Sequence, residues 1–404
     1  MGAVRITYIT HTRFPTEKAH GHQVAQVCGA LASLGHTVTL VTPTVGSSTT
    51  KDPWKYYDVP KIFEIRRLTQ FDALNSRIVP GILAFAVSMW SYRRALKRYL
   101  QNNPADLLYV RSAAVLETAL QTGRPVIMEI HTIPRLALKT FVGRLNRCVA
   151  VVCLTGLQRD ALLKCGVSEE KIVVEPDGVS LERFQNIEES SSAKEHWGLP
   201  CDVPIVGYVG SLATGHGLSK GLDELLSAFA MLQGNSFLGW IVGGPAGEVH
   251  RLQRKAAALH LKDTMRFQSR IGASDVPSAI CACDICVYPA PASSDPFFRR
   301  DTSPLKLLEY LAAGKPVVCA DLPPIRDIVD EKAVVFCNPG DPKSLAAAIA
   351  AVITDPVTAH AKAEHGRAIA AKHDWKKRME RILKPAISPS SNIAGHPRSS
   401  FPPR

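Results

Sequence analysis

Nine consecutive residues, Asp301 to Glu309, gather side chains suited to holding an anion and a polyol. Ser303 followed by Pro304 reads as the N-cap and first residue of a helix. A helix start offers free N–H groups and the positive end of the backbone dipole, a ready site for a diphosphate. Lys306 falls in the first turn and adds a full positive charge. Glu309 lies on the same helix, near enough to accept from a sugar or ribose hydroxyl. Gly314 closes the helix and Pro316 opens the next strand. An amphipathic helix packed on a sheet has the same apolar spacing. The coincidence of cap, Lys, Glu and Gly314-Lys315-Pro316 is what favours a binding role.

Other chemistry-bearing patterns are weaker. Cys281, Cys283 and Cys286 form a tight run where a helix should end and a strand begin, and no second cluster completes a zinc site. Core packing is the better reading there, and the ten cysteines read as reduced thiols rather than a disulfide framework. The run Gly215-His216-Gly217 through Gly221 lacks the spacing of a dinucleotide fingerprint, and no P-loop occurs. No Asp-x-Asp occurs either, so charge on a diphosphate should be met by Lys and helix dipole without a metal. Gly243-Gly244-Pro245 reads as a structural turn.

The elements that must position these residues alternate regularly. Arg5–Ile9 and His36–Thr42 read as strands flanking a helix from Gln23 to Leu34. Further strands are expected at 106–110, 125–129, 149–154 and 172–175. After a polar stretch near 176–200 the pattern restarts, with strands at 204–209, 239–243, 265–267, 285–288, 316–319 and 333–336. The result is an α/β chain of two doubly wound domains in tandem, with the ligand site in the cleft outside the strand ends. Ser388 to Arg404 reads as a disordered tail rich in Ser and Pro.

A chain of 404 residues, 46% hydrophobic and 21% charged, fits two globular domains. The net charge of +12 is uneven. Residues 1–180 hold 22 Lys and Arg against 13 Asp and Glu, a net +9, and the remainder nets +3. A basic first half admits an anionic partner such as acidic lipid, a phosphorylated acceptor or nucleic acid, although many soluble proteins are basic. No signal peptide is expected at the N-terminus. The apolar run Ile78–Trp90 is shorter than the about 20 residues of a membrane span. With the basic residues that follow, to Tyr99, it reads as an ordinary helix with a solvated basic face, or as a membrane-surface helix.

The stretch from Asp301 to Val318 resembles the signature of the family-4 retaining glycosyltransferases of GT-B fold (GT4), in which two Glu separated by seven residues precede a small-residue, Gly, Pro, Val segment. Glu309 matches the second Glu, and Asp301 stands at the first. The resemblance extends to about Leu383. Tyr208-Val209-Gly210 with Lys220-Gly221 is similar to the family's cation-bearing segment, with Ser211 where the family has Arg. His216 or Lys306 is the candidate to compensate. His131 matches the family's active-site His, and Gly21 the loop glycine that lets backbone approach donor phosphates or acceptor. Lys18, His20 and His22 are acceptor-side candidates. The segment 174–184 is similar to the interdomain hinge, and His373–Arg378 to the final helix that crosses back.

The resemblance implies two Rossmann-like domains facing across a cleft, 1–180 on the acceptor side and 181–365 for the nucleotide sugar. A final helix at about 366–384 packs back on the first domain, and a tail covers 385–404. It implies a metal-independent, retaining hexosyltransferase that moves a sugar from a nucleoside diphosphate to an acceptor hydroxyl, in cell-envelope, polysaccharide or glycolipid synthesis. The catalytic residues implied are His131, Asp301 and Glu309. The donor diphosphate falls to Gly21, Lys220, Thr302, Ser303 and Lys306, and the nucleoside to Arg270, Ile271 and Glu309. No cofactor and no metal are expected. The expected partners are the donor, an acceptor sugar or lipid-linked glycan, and an anionic membrane touched peripherally from the cytoplasm, without nucleic acid. Asp301 and Ser211 keep open an inactive binding or assembly subunit, and a sugar-nucleotide epimerase shares the fold.

Overall fold

The computed structural model describes residues 2–44, 52–71, 73, 81–134, 138–213, 219–234 and 236–387. Short runs rich in Val, Ile, Leu and Tyr form two all-parallel sheets. The first contains β1 (Arg5–Ile9), β2 (Thr37–Pro43), β3 (Glu64–Leu68), β4 (Leu107–Val110), β5 (Val126–Ile130), β6 (Ala150–Cys153) and β7 (Ile172–Val174), in the order β3-β2-β1-β4-β5-β6-β7. The second contains β8 (Ile205–Val209), β9 (Leu238–Val242), β10 (Met265–Gln268), β11 (Ile285–Tyr288), β12 (Val317–Ala320) and β13 (Val335–Cys337), in the order β10-β9-β8-β11-β12-β13. Strand order reverses beside β1 and again beside β8, and such reversals open a crevice at the carboxyl ends of the strands.

The inner strands are buried along nearly their whole length, as parallel strands covered on both faces must be. Separate apolar clusters fill the two faces of the first sheet, and a larger one surrounds the second. Tyr8 and Tyr109 stack at 5.0 Å beneath β1 and β4. Most of the cysteines are buried thiols, Cys201 being exposed and Cys165 half-buried. Cys281 donates to the Glu188 carbonyl at 2.9 Å and Cys283 to that of Ala279 at 3.4 Å, which matches the core-packing expectation.

Several elements depart from the sequence expectation. Strand β3 was not anticipated, because three of its five residues are charged. It is an edge strand on β2, where charged side chains stay in water and discourage further pairing. The first helix starts at Ala19, four residues earlier than expected. The segment after Pro80 forms one helix, Gly81–Asn102, while Ile78 to Pro80 fall outside the described residues, as does the Ser388–Arg404 tail. Its Tyr92, Leu96 and Leu100 are buried at helical spacing, and Arg93, Arg94, Lys97 and Arg98 are exposed.

The chain returns to the first sheet near its end. Helix Pro356–Ala370 still packs beside the second sheet, contributing to its core through Ala359 and Ala370. Val179 and Trp375 then exchange hydrogen bonds with the opposite segment, Val179 N–H to the His373 carbonyl at 2.9 Å and Trp375 N–H to the Val179 carbonyl at 3.3 Å. Helix Trp375–Ile387 buries Trp375, Met379, Ile382 and Leu383 in the core shared with the first helix.

Candidate active site

On the second-sheet side the site is built from the ends of β8 and β11 and the helix Leu305–Ala312. Gly210 follows β8 directly. A Cβ there would stand 2.6 Å from Lys306 Cε, so only glycine lets the lysine cross. Lys306 Nζ donates to the Tyr208 hydroxyl and lies 4.3 Å from the Tyr208 ring centre. Lys220 lies close enough to Lys306 for the two charges to interact. Burial pushes Lys220 down from its ordinary value. Burial and then the Lys220 charge push Lys306 well down, against a weaker pull from Glu309. Among the described residues neither lysine has an ion-pair partner. The Ser211 hydroxyl donates to the Ala213 carbonyl at 2.7 Å, and His216 falls outside the described residues.

The expected cap is corrected. The helix begins at Leu305 with Pro304 at the cap position, and no side chain caps it. The Ser303 hydroxyl instead accepts the Asp177 N–H at 2.8 Å. At φ −90° and ψ 76° Pro304 makes a tight turn in which the Leu305 N–H bonds the Ser303 carbonyl at 3.1 Å, and the serine hydroxyl serves the hinge. Thr302 is buried beside Tyr288. Glu309 lies 3.5 Å from Arg183, which also pairs with Asp58 at 3.0 Å. Burial raises Glu309 and Arg183 opposes that. Arg183 was missed as a site residue, although it stands in the hinge segment before Phe184.

Asp301 is fully engaged. Arg300 binds both of its oxygens, at 2.7 and 3.0 Å, and Gln158 donates to one at 3.0 Å. The same Gln158 amide reaches the His131 carbonyl at 3.4 Å, so it joins His131 to Asp301 across the two halves. Thr155 and Gly156 add bonds to the Arg300 carbonyl and the Asp327 carboxylate, each at 2.8 Å.

On the first-sheet side His131 stands just beyond β5. Its Nε2 lies 2.8 Å from Glu129, which favours the tautomer protonated at Nε2. Burial, then Arg111, lowers His131, with Glu129 resisting. Glu129 is fully buried and accepts from Gln23 at 2.6 Å, from Tyr109, and from Arg378 at 3.4 Å. Burial opposes its ionisation, but Arg378, His131 and Tyr109 together hold it well below the usual carboxylate range. Ligand atoms of Glu129, His131 and Asp177 lie within 4.8 Å of one another, and Arg378 supplies a positive charge at that point. Sequence reading missed Glu129 and Arg378 as site-supporting residues.

Gly21 lies inside the first helix and not in the loop before it. A Cβ there would stand 2.2 Å from the Tyr57 hydroxyl and 2.7 Å from Thr16 Cγ2, so the space it leaves is taken by packing. His20 and His22 are half-buried, and burial brings each down to about 3, whereas Lys18 is exposed. Arg270 and Ile271 line a cleft of about 660 Å³ between the halves, facing Thr16, Lys18, Tyr56 and Tyr57. Arg270 donates to the Glu17 carbonyl at 3.1 Å across it. The structure thus gathers Lys220, Lys306, Thr302 and Glu309 on one wall. His131 and Asp301 are joined through Gln158, and Arg270 and Ile271 sit at the lip.

Two Rossmann-like sheets with their site between them define the GT-B class. Its relatives agree. Residues 190–369 match the family described as Glycosyl transferases group 1, and residues 21–183 match Glycosyltransferase Family 4. The chain belongs to the family-4 glycosyltransferases of GT-B fold. It is 24% identical over 229 residues to a GDP-mannose-dependent alpha-(1-6)-phosphatidylinositol dimannoside mannosyltransferase of Mycobacterium tuberculosis, covering 55% of each chain. It is 28% identical to the D-inositol 3-phosphate glycosyltransferase of Streptomyces avermitilis, over 63% of this chain and 57% of the relative. These matches span little more than half the length of either relative. Alpha-monoglucosyldiacylglycerol synthase of Streptococcus pneumoniae is 23% identical over 95% of this chain and 87% of its own. Among solved structures, a glycosyltransferase from Rickettsia africae superposes with a TM-score of 0.74 at 16% identity, over 96% of this chain and 100% of its own. Anabaena HepE in complex with UDP and glucose gives 0.68 at 18% identity, over 94% and 98%.

Proposed function

We propose that the chain transfers a sugar, with retention and without a metal, from a nucleoside diphosphate sugar to an acceptor hydroxyl in cell-envelope, polysaccharide or glycolipid synthesis. The observation that carries this reading is the Lys220–Lys306 pair. Two neighbouring ammonium groups with no carboxylate in ion-pair contact among the described residues repel each other until a multiply charged anion enters between them. A leaving diphosphate is such an anion, and its charge grows as the glycosidic bond breaks. Lys306 stands where the family's Arg is lost at Ser211. Thr302 and Ser303 border the diphosphate, Glu309 takes a donor hydroxyl, and Arg270 and Ile271 flank the base. His131 and Asp301 face the transferred sugar, their positions tied through Gln158.

In this reading residues 1–180 form the acceptor domain and 181–365 the donor domain, with the final helix closing on the first. Leu83, Phe85 and Trp90 are 56%, 50% and 63% exposed, and exposed Arg93, Arg94, Lys97 and Arg98 follow on the same helix. These exposed apolar and basic side chains on one helix support peripheral contact with an anionic membrane from the cytoplasmic side. Among the described residues no single helix is long and apolar enough to cross a membrane. The relatives named for lipid and inositol acceptors support the glycolipid assignment.

Calorimetric titration with UDP, GDP and ADP in metal-free buffer, in parallel with Lys220→Ala, tests the proposal. Tight binding of one nucleotide that weakens in the variant is the expected result. Absence of binding by all three would leave an inactive GT-B subunit.

A further inference from the structure

The carboxyl ends of β1, β4 and β5 are adjacent; Arg111 and His131 directly follow β4 and β5, and His11 stands two residues past the end of β1. Arg111 N–H bonds the Ile9 carbonyl at 3.1 Å, which sets Arg111 beside the His11 loop. His20 joins them from the first turn of the helix after β1. Among the described residues Arg111 has no ion-pair partner. Its Nε, His11 Nδ1 and His20 Nε2 are shielded from water, and none has a hydrogen-bond partner. Three neighbouring nitrogens able to donate are thus left unsatisfied in one place, an arrangement that buried polar groups normally avoid. The donor lysines belong to the other half of the molecule, so the diphosphate leaves these groups unexplained. Burial and the Arg111 charge keep His11 and His20 neutral near pH 7, each with one N–H to give, whereas the single N–H of His131 is already directed at Glu129. The nearby acidic groups are Glu129, already paired with Arg378, and Asp177, which burial pushes upward.

We infer that Arg111, with His11 and His20, binds a phosphate group carried by the acceptor, close to the hydroxyl that is glycosylated. The inference rests on the sugar-transfer reading only in naming the carrier as the acceptor. Arg111 supplies the charge and a planar fork of donors, and the imidazoles supply neutral donors. The His11 ring also meets Phe85 edge-on at 6.4 Å, and Phe85 is half exposed near the start of the helix that also carries exposed Leu83 and Trp90. A phosphate at Arg111 therefore lies near the start of the helix proposed to touch the membrane.

The test measures binding of myo-inositol 1-phosphate and of myo-inositol with the donor subsite saturated by the nucleotide that binds best. Wild type, Arg111→Gln and Arg111→Lys are compared. The expected result is that the phosphate monoester binds, the uncharged polyol binds at least tenfold more weakly, Arg111→Gln loses at least tenfold, and Arg111→Lys loses less. Unchanged nucleotide affinity in Arg111→Gln shows that the variant is folded. A second arm sediments the proteins with phosphatidylglycerol or phosphatidylcholine vesicles. Arg111-dependent binding to the anionic vesicles assigns the phosphate to a lipid headgroup, and Arg111-dependent binding of the soluble ester alone assigns it to a water-soluble acceptor. Equal binding by wild type and Arg111→Gln in both arms overturns the inference. Nucleotide binding by neither protein overturns the donor reading instead, and phosphate binding is then still measured without nucleotide.

Discussion

Arg378, on the final helix, reaches back 249 residues to Glu129 at the end of β5, and both side chains are fully buried. Arg378 also donates to the carbonyls of Pro176 at 2.5 Å and Glu175 at 3.1 Å, which begin the hinge. One guanidinium thereby ties the last helix, the hinge and the strand that carries His131. Removing one partner of a buried pair leaves the other charge without compensation. Arg378→Met should cost about 3–5 kcal/mol in denaturant unfolding. Adding Glu129→Gln should recover part of the loss, and an additive double variant would break the claimed coupling.

The Lys220–Lys306 pair should respond to pH. Both lysines are pushed below their ordinary value in the empty site, and a bound dianion favours the charged forms. Nucleoside diphosphate binding should therefore take up protons, and affinity should fall as pH rises above neutrality. Calorimetry in buffers of different ionisation enthalpy reads the uptake directly. Zero uptake in the wild type, or equal uptake in Lys306→Ala, would contradict the arrangement.

Glu309 is held by Arg183 in a buried setting and is expected to bind donor only once the nucleotide sugar is in place. Glu309→Ala should lower kcat/KM at least about a hundredfold, the scale for losing a charged hydrogen-bonding group at a transition state. Near-normal turnover would remove Glu309 from the site.

Acid should loosen the fold before the carboxylates titrate. His20 and His22 are brought by burial to about 3, against an ordinary value of 6.5. Below that ordinary value the unfolded chain binds more protons than the native one, so stability present above pH 6.5 is lost as pH falls towards 3. The denaturant midpoint should drop between pH 7 and 5, and His22→Gln should flatten part of that drop. Identical pH slopes in the two proteins would point to other groups.

Gly21→Ala should destabilise by about 1–3 kcal/mol, because the added methyl meets the Tyr57 hydroxyl. Tyr57→Phe in the same chain should restore part of the stability, since the nearest atom is then gone. Thermal melting of the single and double variants decides whether this glycine acts through packing.

The alternation of strands and helices, the doubly wound class and the helix that carries Lys306 and Glu309 were legible in the sequence because each depends on neighbours a few residues apart. Apolar periodicity, Gly314 as a terminator and the adjacency of Lys306 and Glu309 are local properties of the chain. The charged edge strand β3 was missed because its side chains face water, and periodicity reports only burial. Ser303 was misread as a cap because the local pattern was right while a hinge N–H, 126 residues away, took its hydroxyl.

What the sequence alone determined was the architecture and the types of group in the site. The tertiary structure decided their partners: Arg183 on Glu309, Gln158 between His131 and Asp301, Arg378 on Glu129, and Lys220 beside Lys306. The physical reason is reach. Helix and strand formation is governed by backbone and apolar contacts near in sequence, whereas a buried charge accepts whichever counter-group the folded chain delivers, and only the assembled sheets bring those groups together.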